Sequence, residues 1–270
     1  KMLRYYETKS ISQKYQKYRP HYPVQLAKDA LGSLREKKID FLLDVGCGGG
    51  QSVNIFAPYF HEVLAIDPSE NQLKEARSQN KFAHVTYKQG IAEKLPCDNV
   101  SVDVITSGTS AHWFDRPKFY EEADRVLKPG GRLVIFGYWS PKIVPLCVSD
   151  GDVTRLSGVG TQLLKNTFNK LIFHERHSHV RDKYNQIFGE IPLLNKRRFD
   201  NLSTDYTWSL VDAKGMIQSV DSYETYMKSK ELELKELSEV KRSARLSELD
   251  PSEQFARSLK LFVIVAEKLN

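Results

Sequence analysis

The chain has 270 residues, 40% hydrophobic and 27% charged, a balance that suits a folded protein with one α/β domain and an elaboration. No apolar run reaches the roughly 20 residues a helix needs to cross a bilayer. No zinc knuckle or RNA-binding aromatic signature accompanies the net charge of +6, much of which sits before residue 40, so nucleic acid is not an expected partner.

Cys47, Cys97 and Cys147 are widely separated, odd in number and outside any C-x-x-C pair, so a reducing compartment, the cytoplasm, is expected. Lys1 stands before Met2 and no leader pattern is visible, so Lys1 is not read as the natural start. Residues 1–40 lack a strand pattern and read as helical, with an aromatic and basic stretch, YQKYRPHYP at 15–23, where Pro20 and Pro23 must interrupt any helix. The basic excess here is either a solvated face or a surface that closes over an anionic substrate.

A strand at 41–45 runs into the glycine turn of LLDVGCGGG (42–50), a helix follows Gly50, and a second strand near 62–66 ends in Asp67. Asp67-Pro68-Ser69-Glu70 supplies capping residues for a helix through Gln72, Leu73 and Ala76. Further strands are expected near 84–87, at 102–106 and at 131–137, the last reached by a helix ending at Leu127-Lys128-Pro129-Gly130. This alternation predicts a mainly parallel sheet covered on both faces, with ligands at the carboxyl ends of its strands. Between about 140 and 200 the alternation stops, and that polar and aromatic stretch reads as a helical cap. A strand near 204–210, helices through 215–248 and a last strand at 259–266, apolar enough for burial on both faces, complete the chain.

The glycine turn carries the chemistry. Gly46, Gly48 and Gly50 let the backbone turn tightly and approach a ligand, and Asp67 can accept both hydroxyls of a ribose, so the unit reads as an adenosine site. The dinucleotide pattern G-x-G-x-x-G is missed, because position 51 is Gln and the third glycine falls at 50. Asp44, two residues before the first glycine, would repel a pyrophosphate but suits a ligand with an ammonium and a sulfonium.

On these residues the stretch resembles the class I S-adenosylmethionine (SAM) methyltransferases, whose first motif is h-h-D-h-G-x-G-x-G. GIAEKLP at 90–96, VDVITSGTSAHWF at 102–114 and RVLKPGGRLVIFGYW at 125–139 extend the resemblance over about 41–139. YQKYRPHYP, His112-Trp113 and TWSLVDAKGMIQSVDSY at 207–223 are similar to the trans-aconitate methyltransferase-like small-molecule group, and more loosely to juvenile hormone acid methyltransferases.

The resemblance implies a Rossmann-like α/β fold, doubly wound around a mainly parallel seven-stranded sheet, in one methyltransferase domain over 1–270. Its parts would be an N-terminal helical lid (1–40), a SAM-binding core (41–139), a substrate cap insertion (140–200) and a C-terminal completion of the sheet (201–270). Gly46, Gly48 and Gly50 would line the methionine part of SAM, Asp44 its amino end and Asp67 the ribose. Ala92 and Glu93 would lie beside the adenine and Ser107 would face the cofactor. Tyr18 and Arg19 would close from the N-terminal side, Arg19 offering a planar fork to a carboxylate. Ile91 and Gln72 depart from the residues many relatives place around the adenine.

His112 and Trp113 are the catalytic candidates, on the loop after the fourth strand, where an imidazole would position or deprotonate an acceptor; the alternative is a structural pair. His174-Glu175-Arg176-His177-Ser178-His179 is not H-E-x-x-H and reads as solvated cap residues, so no metal is expected. The fourth-strand loop lacks the Asn/Asp-Pro-Pro-aromatic pattern of enzymes that methylate exocyclic amines or amides. The expected function is methyl transfer to a small organic molecule, with a carboxylate oxygen preferred and the product S-adenosylhomocysteine. N- or S-methylation, a SAM-binding protein without turnover, and a nicotinamide oxidoreductase are the rivals.

Overall fold

The strand Ile39–Val45 (β1) is apolar on both faces: Leu42 and Leu43 point in opposite directions and both are fully buried. A computed structural model describes residues 9–145, 176–209, 212, 215, 216, 219 and 254–269. β1 pairs in parallel with Phe60–Asp67 (β2) on one side and with Val102–Gly108 (β4) on the other. Val85–Gln89 (β3) extends the sheet beyond β2, and Leu127–Pro145 (β5) lies parallel to β4. Gln254–Glu267 (β8) runs antiparallel to β5 and carries Leu194–Phe199 (β6) and Ser203–Ser209 (β7) on its far edge.

β6 and β7 follow each other along that single edge. The N–H of Leu261 donates to the carbonyl of Leu202 between them, and the five residues from Phe199 to Ser203 span the four from Val263 to Lys260 on β8, so they form one outer position broken by a bulge. The order is therefore β3-β2-β1-β4-β5-β8 and then β6 with β7, which gives the seven positions of a doubly wound sheet. Strand order reverses between β1 and β4, and the carboxyl ends of those two strands frame a crevice.

Two apolar layers flank the sheet. Leu42, Val104, Val134 and Val263 face Val24–Leu31 (α2), Gln51–Phe56 (α3) and Glu70–Gln79 (α4). Leu43, Ile105, Ile135 and Ile264 face Arg116–Val126 (α5) together with Tyr184, Ile187 and Ile191. Ser69 caps α4 by accepting the N–H of Gln72, and Gly50 opens α3 from a left-handed conformation at φ +85°. Lys9–Tyr18 (α1) ends just before Pro20, and Pro23 precedes α2, so the two prolines break the N-terminal helical region as their chemistry requires. No helix among the described residues is long and apolar enough to cross a membrane.

Two expectations need correction. Strand β5 continues past 137 to Pro145, because the pairing with β8 slips by one residue between Trp139 and Lys142 and absorbs Pro141 in a bulge. The 140–200 segment is not wholly a cap. Residues 194–199 belong to the sheet, while His177–Arg181 (α6) and Asn185–Glu190 (α7) lead into the α5 layer, where Tyr184 and Ile187 are fully buried. Residues 146–175, and the expected helices over 215–248 apart from 215, 216 and 219, lie outside the described residues.

Where β5 meets β8, Gly137 leaves room for the ring of Phe262: a Cβ there would lie 2.6 Å from Phe262 Cζ. Gly137→Ala should destabilise the fold by about 1–3 kcal/mol through overpacking. The urea unfolding midpoint measures it, and Phe262→Leu in the same chain should reduce the loss.

Candidate active site

The turn after β1 is hung from the end of β2. The N–H groups of Gly46 and Cys47 both donate to the carbonyl of Ile66, at 2.8 and 3.0 Å. Gly46 has φ +70°, and a Cβ on it would lie 2.7 Å from both Cβ and Oγ of Ser110, so only glycine fits. At Gly50 a Cβ would meet the Tyr87 hydroxyl at 2.7 Å.

Two buried carboxylates hold this turn. Asp44 is fully buried and accepts the hydroxyls of Ser52 and Thr106, each at 2.6 Å, which ties β1 to α3 and β4. Asp67 accepts the N–H of Gly48 at 2.9 Å on one oxygen and that of Ser69 at 2.8 Å on the other, which ties the turn to the start of α4. All four donors are uncharged. Burial, the largest influence, raises both carboxyls from an ordinary 3.8 to about 6, against those hydrogen bonds.

A cleft opens over the turn. One wall is Gly46, Cys47 and Gly48, with Gln51 and Ser52 of α3 and Gly108 at the end of β4. Opposite stand Tyr15, Arg19, Pro20 and Tyr22 from the N-terminal segment, and Tyr138 of β5. The Arg19 guanidinium lies 4.6 Å from the centroid of the Tyr15 ring and donates from Nε to Ser219 Oγ at 3.0 Å and from Nη1 to the Tyr138 hydroxyl at 3.3 Å. Gln51 Nε2 donates to Gln16 Oε1 at 3.0 Å, which fastens α1 to the first residue of α3. Burial pushes the Tyr15 phenol up to about 12, so it stays neutral at physiological pH.

Of the residues singled out from sequence, Gly46, Gly48 and Arg19 line the cleft, and Asp44, Gly50 and Asp67 support its turn. Others sit elsewhere. The half-buried Tyr18 ring covers Gly215, where a Cβ would fall 2.3 Å from it, and Tyr15, four residues before Arg19, takes the place on the cleft expected for Tyr18. Ser107 shares a proton with Ser110 at 2.7 Å, and Ser110 in turn donates to the carbonyl of Val45. Ala92 is buried in the α5 layer, and Glu93 accepts the N–H of Asp115 at 2.8 Å, at the entrance to α5.

His112 does not line the cleft as described. Its imidazole is 2% exposed, meets the Tyr184 hydroxyl through Nδ1 at 2.6 Å, and packs against Trp113 and His177 with centroids at 4.8 and 5.7 Å. This packing is the structural pair weighed for His112 and Trp113 in the sequence, and a role for either toward the acceptor is a proposal. The partner of His112 lies 72 residues away in the fold's second layer, where local spacing gives no sign of it. Among the described residues, no group of three or more His, Cys, Asp or Glu side chains could hold a metal.

Reading by motif missed Tyr15, Tyr22, Gln51, Ser52 and Tyr138. The helical spacing of Tyr15 and Arg19 was the available signal for one of them.

Residues 43–135 match the model of a methyltransferase domain. The chain is 39% identical over 134 residues to a Dictyostelium discoideum protein named as a methyltransferase, covering 50% of this chain and 49% of that one. It is 28% identical over 135 residues to a Saccharomyces cerevisiae protein named as an S-adenosylmethionine-dependent methyltransferase, with 48% and 46% covered. The chain spans about half the length of these curated relatives. A solved structure described as a type II methyltransferase from Anaeromyxobacter dehalogenans superposes with a TM-score of 0.66 at 24% identity, covering 93% of this chain and 99% of that one, and shares its fold.

The site fits the cofactor of that domain, S-adenosylmethionine. Its ammonium and sulfonium are the positive charges that the two raised carboxyls lack. Gln72, at the start of α4 and 3% exposed, leaves Oε1 buried without a hydrogen-bond partner, an acceptor near the end of β2.

Gly46→Ala should abolish detectable SAM binding by calorimetry, because the new methyl collides with Ser110 and the left-handed backbone costs about 1–2 kcal/mol.

Proposed function

We propose, from the premise that residues 43–135 are an S-adenosylmethionine-dependent methyltransferase domain, that the chain methylates a small organic molecule, preferably at a carboxylate oxygen. The observation that carries this reading is the pair of buried acids, Asp44 and Asp67, fastened to the glycine turn beneath a cleft whose opposite wall holds Arg19.

When bound, SAM supplies an electrophilic methyl: a lone pair of the acceptor oxygen forms the new O–C bond as the C–S bond breaks, and that pair stays on sulfur. A carboxylate is ionised at neutral pH, so the protein has no proton to remove and its task is placement and exclusion of water. In this reading Gly46, Gly48 and Gly50 admit the methionine part of the donor against the backbone. Asp44 acts on its amino end through the field of a buried charge, since both its oxygens are engaged by Ser52 and Thr106. Asp67 meets the ribose with the lone pairs left by Gly48 and Ser69, and Ala92 and Glu93 border the adenine.

Arg19 serves an anionic group, its fork aimed by Ser219 and Tyr138. His112 and Trp113 act by positioning: anchored on Tyr184 and His177, they set the loop that follows β4. The segment before residue 40 is the lid and the cytoplasm the place of action, while residues 146–175 of the cap expected over 140–200 lie outside the described residues. YQKYRPHYP and His112-Trp113 support membership of the trans-aconitate methyltransferase-like group.

Incubation with methyl-labelled SAM and a panel of small carboxylic acids should give base-labile methyl esters. Base-stable label would move the acceptor to nitrogen or sulfur, and transfer confined to protein or RNA would remove the reading.

A pH dependence follows from the two acids. Their folded values near 6 lie above the ordinary 3.8, so in the unliganded chain their contribution to stability is full below about pH 4 and lost as pH rises through 6. A cation in the cleft favours the ionised forms, so binding releases protons below pH 6. SAM affinity should therefore fall between pH 7 and pH 5, by up to about tenfold per unit for each proton released. Calorimetry at pH 7, 6 and 5 measures this, and a flat profile would remove the electrostatic role of the pair.

A further inference from the structure

Thr109 follows β4 with φ +52°, a left-handed conformation that is an outlier for a β-branched residue. That conformation carries a backbone strain that glycine would avoid. Two hydrogen bonds hold Thr109 there: its N–H donates to the carbonyl of Phe136 at 2.7 Å, and its Oγ1 shares a proton with the Tyr22 hydroxyl at 2.8 Å. Any residue but proline could make the first. Only the second needs the hydroxyl.

The neighbourhood is shaped around that second bond. Gly108 leaves the space free, since a Cβ there would lie 2.8 Å from the Phe136 ring and 3.3 Å from the Tyr22 hydroxyl. The Tyr22 ring stands edge-on to Phe136 with centroids 4.8 Å apart and tilts onto Tyr138 at 6.0 Å. Tyr22 lies between Pro20 and Pro23, on the link that joins α1 to α2 and directly follows Arg19. On the outer side of this link the Tyr206 hydroxyl donates to the carbonyl of His21, while Tyr22 lines the cleft itself. Tyr15, Arg19 and Tyr22 thus form a roof over the glycine turn, and a ligand on the turn lies beneath it.

We propose that Tyr22 and Thr109 are a latch that fastens the N-terminal roof to the end of β4, and that Tyr22 is through it a positioning residue for the methyl donor. The inference rests on the reading above that the cleft takes SAM. The backbone strain at Thr109 is kept because its hydroxyl closes the roof, and opening breaks that bond. The latch therefore governs how long donor and demethylated product stay bound.

The test is the rate at which S-adenosylhomocysteine leaves the full chain, followed by stopped-flow displacement, in the wild type, Tyr22→Phe, Thr109→Gly, Thr109→Ser and the Tyr22→Phe/Thr109→Gly double variant. Tyr22→Phe keeps the ring packing, so it probes the hydroxyl in a folded chain. Loss of one hydrogen bond should speed release about tenfold in Tyr22→Phe and in Thr109→Gly, and the double variant should be no faster than either. Thr109→Ser should stay within about twofold of the wild type, because a single hydroxyl bond is retained. Thr109→Gly should also keep or raise the melting temperature, so binding and stability move apart where a purely structural role would move them together.

Unchanged release in Tyr22→Phe and Thr109→Gly, or single effects that multiply in the double variant, would overturn the latch alone. A wild type that binds neither SAM nor S-adenosylhomocysteine would overturn the donor reading and the latch together.

Discussion

Two carboxylates buried on either side of a glycine turn are the constraint on which the rest of the site depends. Asp44 reaches from β1 to α3 and β4, and Asp67 from β2 to the turn and α4, so five elements converge on four oxygen atoms. Each oxygen satisfies a donor that would otherwise be buried unpaired, at a cost of about 1–3 kcal/mol apiece. Removal of either acid would loosen the turn and its supports together. The same burial leaves both groups poorly compensated as anions, which is why they rise to about 6 and why the empty turn favours a positively charged guest.

The sheet puts this turn where a ligand can reach it. β1 and β4 are neighbours whose connections leave in opposite directions, so their carboxyl ends open a crevice instead of being crossed by a helix. Gly46 and Gly108 stand at those two ends, and both are kept small by what faces them, Ser110 in one case and Phe136 with Tyr22 in the other. The roof comes from the segment ahead of β1. α1 and the Pro20–Pro23 link bring a guanidinium and two phenols over the crevice, with neutral hydroxyls that donate and accept without adding charge.

Much of this was legible in the amino-acid order because it is local. The strand end and its turn fall within nine consecutive residues, Asp67 closes the next strand, and the strand and helix periods around them are short enough to recognise. What escaped is non-local. Tyr15 and Tyr18 lie within one turn of the same helix, and only the packing of Tyr18 on Gly215 decides which of them meets the cleft. His112 follows β4 as expected, yet Tyr184, a partner far along the chain, turns its ring into the core. The 194–199 strand, LNKRRF, is polar because it is an edge strand, so it lacked the apolar alternation that marks the interior strands.

The sequence by itself determined the class of fold, the place of the glycine turn and the two acids beside it, since each is written in contiguous residues whose backbone requirements are intrinsic. Tertiary structure alone decided which side chains face the cleft and which brace it. That choice depends on contacts between Tyr22 and Thr109, Arg19 and Ser219, or His112 and Tyr184, separated by 87, 200 and 72 residues, and no local preference encodes such distances.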